Sequence, residues 1–171
     1  MTETILETKR LVLRKWTNAD CDALFEILRD ARVAQFIADG KPFTRAEVID
    51  FLAWAENYER LHGFCRWKVV EKASGATIGS CGFARPGDSD EIELGFLFAQ
   101  KSWGRGYATE IAAAAVDYGF KKLGFREIIA MTDLENTASQ KVLEKIGFAS
   151  RGIQAIGGEE SLVFIKKKSD E

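Results

Sequence analysis

The stretch from Glu91 to Leu123 constrains this chain most, because its hydrophobic period changes within it. Over 91–98 the residues alternate: Ile92, Leu94, Phe96 and Phe98 fall on one side, Glu91, Glu93, Gly95 and Leu97 on the other. A period of two is a strand. From about Tyr107 to Leu123 an alanine-rich segment reads as a helix, with Asp117 and Lys121 spaced to pair on its wet side. Between the two lies Trp103-Gly104-Arg105-Gly106-Tyr107-Ala108-Thr109-Glu110. A strand that feeds a helix through such a turn presents unpaired amides at the positive end of the helix dipole. Glycine at 104 and 106 removes side chains that would hold an anion away. The turn suits a diphosphate. It equally suits a tight connection with no ligand, and taken alone it does not separate these readings. A nucleoside-triphosphate loop would need Gly-Lys followed by Ser or Thr, which is absent. A dinucleotide fingerprint would need a third small residue where Thr109 stands.

The flanking segments supply a sheet. Arg10 to Arg14 alternates as a strand, with Leu11 and Leu13 on one side. Thr17-Asn-Ala-Asp20 and Thr44-Arg-Ala-Glu47 each offer a cap and an acid three residues on, opening two helices. The second carries Val48, Phe51, Leu52 and Ala55 on one stripe and should end near Gly63. Residues 65–71 and 76–84 flank Ala73-Ser74-Gly75 and form a hairpin. A strand over 126–132, a helix from Thr137 to Ile146 ended by Gly147, and strands near 148–154 and 161–167 follow. The order β-α-α-β-β-β-α-β-α-β-β predicts a mixed α/β sheet. No repeat, low-complexity segment or linker interrupts the 171 residues, so the expectation is a single domain over 1–171.

Composition closes off other classes. With 46% hydrophobic and 29% charged residues the chain can build a core. A net charge of −2 gives no electrostatic case for nucleic acid. No apolar run approaches the ~20 residues of a membrane span, and no signal peptide is visible, so a membrane partner is not expected. Cys21, Cys65 and Cys81 are scattered, and His62 is the sole histidine, so no metal is expected. The cysteines read as small buried residues, and the compartment as a reducing cytoplasm. A homodimer is compatible with all of this.

Two further elements bear on chemistry. In Asn136-Thr-Ala-Ser139 the serine shares a helix face with Val142, Leu143 and Ile146. An inward hydroxyl needs a partner. Bonding back to its own helix, with Asn136 as the cap, is one reading, and a role in a cleft is the other. Glu93 is a carboxylate within an apolar strand, facing either solvent beside Glu91 or a cleft.

Taken together, these segments resemble the GCN5-related N-acetyltransferase (GNAT) superfamily, and within it the RimJ/RimL-like branch. The residues that carry the resemblance are Leu6 to Arg14, Ile92-Glu-Leu-Gly-Phe96, Gly104 to Glu110, Asn136 to Ser139 and Glu144-Lys-Ile-Gly-Phe148. It implies a six- to seven-stranded, mostly antiparallel sheet, splayed between the strands at 91–98 and 126–132 and flanked by about four helices. It implies that acetyl-CoA is held by the turn residues Trp103, Gly104, Arg105, Gly106, Tyr107, Ala108 and Thr109. The pantetheine arm would then lie along the strand around Leu97 and Ala99, and Asn136 would contact the coenzyme or order its loop. Trp103 departs from the family's Gln or Arg at that position, which puts its side-chain contact in question but not the backbone cradle. Glu93 matches the family's catalytic glutamate, and Ser139 matches a serine proposed as the acid for the departing thiolate. Gln100 stands where some members carry an acid. The implied reaction is direct acetyl transfer to a primary amine. Other readings are an acetyl-CoA sensor, an inactive homologue, and an unrelated phosphate-loop fold. The acceptor site would be built around 36–44, 84–90 and the early helices, with Phe36, Phe43, Trp54 and Arg85 as its larger side chains.

Overall fold

A computed structural model describes residues 2–169. Its strands are β1 (Thr4–Glu7), β2 (Leu11–Arg14), β3 (Arg66–Glu71), β4 (Thr77–Ala84), β5 (Glu93–Phe98), β6 (Glu127–Asp133), β7 (Ala149–Ile156) and β8 (Glu159–Lys167). The helices are α1 (Cys21–Leu28), α2 (Ala31–Ala34), α3 (Arg45–His62), α4 (Tyr107–Lys121) and α5 (Thr137–Lys145). All eight strands join one sheet in the order β1-β2-β3-β4-β5-β6-β8-β7. Every neighbouring pair is antiparallel except β5–β6, which is parallel.

The mixed, mostly antiparallel sheet is the one expected, but with eight strands in place of six or seven. The unforeseen strand is β1, exposed at both ends, whose two apolar residues, Ile5 and Leu6, are adjacent and so show no alternation. The unforeseen helix, α2, is a single turn opened by Asp30, whose Oδ1 accepts from the Arg32 amide at 2.9 Å. The capping signature at Thr44 acts as predicted. The Thr44 amide donates to Glu47 Oε2 at 2.7 Å, and Gly63, at φ +78, closes α3. Thr17 and Asp20 close a single 3-10 turn, and α1 follows from Cys21.

Helix α4 packs on β4, β5 and α5. Ile111, Ala112, Ala115 and Val116 go into the core with Leu94, Phe83 and Ile128. Alanine at these positions lets the helix lie close, and Gly119 admits Phe83 and Phe125, each 3.0 Å from where a Cβ would stand. Helix α1 packs on β4 and α3. Ile27, Val33 and Ala99 form a small apolar cluster joined by Leu97 and Ile37, which ties α1 and α2 to the end of β5. Among the described residues no helix is long and apolar enough to cross a membrane.

Candidate active site

The parallel pair β5–β6 shares one bridge, Glu93 with Ile129, where the Ile129 amide donates to Ile92 O at 2.8 Å. Beyond it the two strands part. The register of β4 with β5 then decides which backbone groups face the gap. The Ala99 amide donates to Ile78 O at 2.8 Å. With that phase, Glu93, Gly95 and Leu97 spend their N–H and C=O groups on β4, while Leu94, Phe96 and Phe98 direct theirs toward β6. This corrects the expectation for Leu97 and Ala99: the groups open to a ligand belong to Phe96 and to the Phe98 amide. Leu97 contributes its side chain to the cleft, and Ala99 is buried against Ile27 and Val33.

The turn after β5 is built to leave its amides free. Ser102 and Trp103 donate to Ala99 O and Gln100 O, and the Glu110 amide donates to Gly106 O at 3.1 Å. Among the described residues none of the amides from Gly104 to Thr109 donates to a backbone carbonyl. Gly104 and Gly106 both take positive φ, +70 and +74, which L residues adopt only at a cost. A Cβ on Gly104 would meet nothing within 4 Å. The turn therefore opens at the N-terminus of a 15-residue helix. Trp103, whose side-chain contact was in question, bridges the turn: its indole Nε1 donates to Phe98 O at 2.9 Å while the ring stays half-exposed.

These amides and the free edge of β5 open on one cleft of about 470 Å³. Trp103, Gly104, Gly106, Tyr107, Ala108, Thr109, Leu97, Asn136 and Ser139 line it, together with Arg32, Val33, Phe36 and Ile37 at its other wall. Arg105 does not line it; its guanidinium pairs with Glu71 at 3.1 Å and covers the Tyr107 ring. Among the described lining residues the charged ones are Arg32 and Lys145, both cations. Unpaired amides, a helix N-terminus, open glycines and no carboxylate together fit a diphosphate.

Asn136 acts as the cap of α5, its Oδ1 accepting from the Ser139 amide at 3.2 Å. Gln140 fastens the preceding turn by donating to Asp133 O and Leu134 O, each at 3.1 Å. The Ser139 hydroxyl makes no hydrogen bond with the described residues and stands on the cleft wall beside Val142, while Leu143 and Ile146 on the same face enter the core.

Glu93 sits at the last bridge before the gap but does not line the cleft. Its carboxylate accepts from Arg66 Nη2 at 3.0 Å and is 15% exposed. Burial pushes its carboxyl above the usual range, against the opposing pull of Arg66. The guanidinium reaches it by lying across Gly95, where a Cβ would come within 2.6 Å of Arg66 Nε. Arg66 was not foreseen. A glycine inside an apolar strand marks a close approach, and Gly95 carried that signal. The thiol of Cys81 is fully buried and pushed up to about 12 by that burial, which removes it as a nucleophile at neutral pH. Burial likewise raises the Cys65 thiol.

Of the larger side chains expected around an acceptor, only Phe36 reaches the cleft. Phe43 packs on the core. Trp54 is stacked between Phe51 and Tyr58 along α3, at centroid distances of 5.5 and 4.9 Å. Arg85 lines a second, more open pocket of about 430 Å³ with Asp90, Glu91, Arg126 and Glu127.

A mostly antiparallel sheet parted beside a glycine turn, with free amides on both walls of the opening, is an acyltransferase architecture. The model of the Acetyltransferase (GNAT) domain matches residues 10–149, and the chain belongs to that family. It is 33% identical over 148 residues to YkkB, an uncharacterised protein of Bacillus subtilis (strain 168), covering 85% of each chain. It is 30% identical over 151 residues to YoaA of the same organism, named as an uncharacterised N-acetyltransferase, covering 87% of this chain and 85% of the relative. Among solved structures, an acetyltransferase from Agrobacterium tumefaciens str. C58 superimposes with a TM-score of 0.85 at 26% identity, over 98% of this chain and 96% of that one.

Proposed function

We propose that this chain transfers an acetyl group from acetyl-CoA to a primary amine by direct attack, as a single-domain enzyme of the RimJ/RimL-like kind. The observation that carries the reading is the meeting of two sets of unpaired backbone donors, Gly104–Thr109 and the β5 edge at Phe96 and Phe98, on one cleft. The first set would hold the diphosphate, and Phe96 would pair with the amide-bearing arm as a strand does. When bound, the coenzyme supplies an activated acetyl group as a thioester.

The remaining work falls to the chain's own groups. An amide of the β5 edge supplies a fixed donor where negative charge develops, a contribution of about 3 kcal/mol for such donors. The Ser139 hydroxyl, without a hydrogen bond among the described residues, is available to donate to the departing sulfur. Glu93, raised by burial and kept in place by Arg66, receives the amine's proton through water. The demand on it depends on the acceptor. Deprotonating an α-amine at pH 7 costs about 1 kcal/mol, and a lysine about 4.6 kcal/mol. A peptide or protein N-terminus, or a small-molecule amine of comparable basicity, therefore suits a base two steps removed from the cleft better than a lysine does. The buried Cys81 thiol supports direct attack over an acyl-enzyme.

One observation favours a coenzyme-binding protein without turnover: Glu93 is engaged by Arg66 and lies off the cleft wall. A single screen separates the two readings. Acetyl-CoA is incubated with peptide N-termini, lysine peptides and small amines, and thiol release is followed. Release with α-amines above the amine-free rate supports the transferase. Coenzyme binding with no release for any amine class supports the sensor.

A further inference from the structure

The coenzyme cradle is gripped from behind by residues about a hundred positions earlier in the chain. Glu110, in the first turn of α4, collects three donors. Its Oε1 accepts from the Thr8 hydroxyl at 2.6 Å and from the Arg10 amide at 2.8 Å, and its Oε2 accepts from Arg10 Nε at 2.7 Å. The Arg10 guanidinium then reaches past the helix and donates from Nη1 to the carbonyl of Arg105 at 2.9 Å. It lies over the Tyr107 ring at 4.5 Å, with Arg105 over the same ring at 4.7 Å. The ring is fixed at its far end, its hydroxyl donating to Glu71 Oε1 at 2.5 Å.

A peptide plane has two ends. Holding the Arg105 carbonyl toward Arg10 turns the N–H of the same peptide, that of Gly106, to the opposite side. Gly106 has no side chain to fix its own orientation, and its φ of +74 is one of several a glycine can take. Burial pushes the Glu110 carboxyl up, and the bonds from Thr8 and Arg10 more than offset it, so the group lies below its usual range. Glu110 therefore keeps its negative charge at neutral pH.

We infer that Arg10 and Glu110 are positioning residues for the coenzyme: the β1–β2 hairpin pins the Arg105 carbonyl and so sets the direction of the amides that receive the diphosphate. This rests on the proposed use of the cradle for acetyl-CoA. Neither residue touches the ligand's reacting end, so the effect belongs to coenzyme affinity and not to the amine.

The test uses the sign of a charge change. Glu110→Gln removes a negative charge close to an anion site. If only charge mattered, coenzyme A would bind more tightly. The brace predicts the reverse, because a glutamine offers one acceptor oxygen where the carboxylate offers two: in either orientation its Nε2 opposes a donor of Arg10, the Nε in one and the backbone amide in the other, and the guanidinium loses its charged partner. Arg10→Lys keeps the charge and a partner for Glu110 but cannot also reach the Arg105 carbonyl, since one ammonium replaces a fork. Coenzyme A affinity is measured by calorimetry for wild type, Glu110→Gln and Arg10→Lys, alongside KM for acetyl-CoA and for the amine. The expected result is a coenzyme Kd about tenfold weaker in both variants, the loss of one hydrogen bond to a charged group. KM for acetyl-CoA rises with it and KM for the amine does not move. A merely structural role would lower the melting temperature and leave the affinity of the folded fraction as it was. Tighter or unchanged binding in Glu110→Gln, or wild-type affinity in Arg10→Lys, overturns the inference. A wild-type protein that binds no coenzyme A sinks the proposed function itself, and the two failures are thereby distinct.

Discussion

Replacing Gly106 by alanine separates the cradle from the fold that carries it. Gly106 sits at φ +74 and ψ 12 as the residue before α4. An L residue in that region costs about 1–2 kcal/mol. The new Cβ itself has room, its nearest neighbour being Arg10 Nη2 at 3.6 Å, so the penalty is backbone strain and not collision. In a chain of this size about 1–2 kcal/mol corresponds to a melting temperature lower by roughly 2–8 °C. The backbone can relieve the strain by leaving the left-handed region, but this re-aims the Gly106 amide and gives up the bond from the Glu110 amide to Gly106 O. Loss of one amide from an anion weakens coenzyme binding by about tenfold. Gly63→Ala is the matched control. Gly63 has φ +78, ends α3 and has open space for a Cβ. It carries the same strain without lining the cleft. Thermal melts and calorimetry with coenzyme A on both variants are the assay. Both should melt lower, and only Gly106→Ala should lose affinity. Equal affinity in the two variants would refute the reasoning.

Four other substitutions have defined outcomes, three around the site and one at a buried ion pair. Glu93→Gln should slow amine acetylation and leave coenzyme A affinity intact; an unchanged rate removes Glu93 from the mechanism. Its activity limb has a defined sign: the carboxylate must be ionised, burial raises it above the usual range, and so activity falls as pH drops through that raised value. Gly95→Ala, which displaces Arg66 and its opposing pull, should move the acid limb of the pH–rate profile to higher pH. Ser139→Ala should slow thiol release at saturating substrates with little change in stability, because its hydroxyl makes no hydrogen bond among the described residues; wild-type turnover would strike it out. Asp20→Ala should destabilise by about 3–5 kcal/mol in denaturant melts, since it strands Lys68, whose ammonium lies 2.7 and 2.8 Å from the two carboxylate oxygens and is 8% exposed.

Much of this architecture is written in local pattern. The alternation over 91–98, the caps at Thr44 and Asn136, and the glycines at 104, 106 and 63 each act through their nearest neighbours, and each appears where the pattern places it. What local pattern does not carry is the phase of a strand's hydrogen bonds. Period two assigns Leu97 and Phe96 to opposite faces, yet which of them turns its backbone to the gap depends on the pairing with β4, many residues away. The same limit hides the brace. Arg10 and Glu110 both stand in segments that carry the family resemblance, but their contact spans a hundred residues and no spacing rule connects them. In β1 the two apolar residues, Ile5 and Leu6, are adjacent and show no alternation, and α2 is a single turn, too short for a helical stripe. Arg66 alone left a trace, through the strand glycine it overlies.

The most direct measurement is a titration of ¹⁵N-labelled protein with coenzyme A, read residue by residue in the amide spectrum. The account predicts that the amides of Gly104–Thr109 shift together with those of Phe96 and Phe98, with the Leu97 and Ala99 amides, already bonded to β4, moving less. Shifts confined to the second pocket around Arg85 and Glu127, or a silent turn at saturating coenzyme, would contradict it.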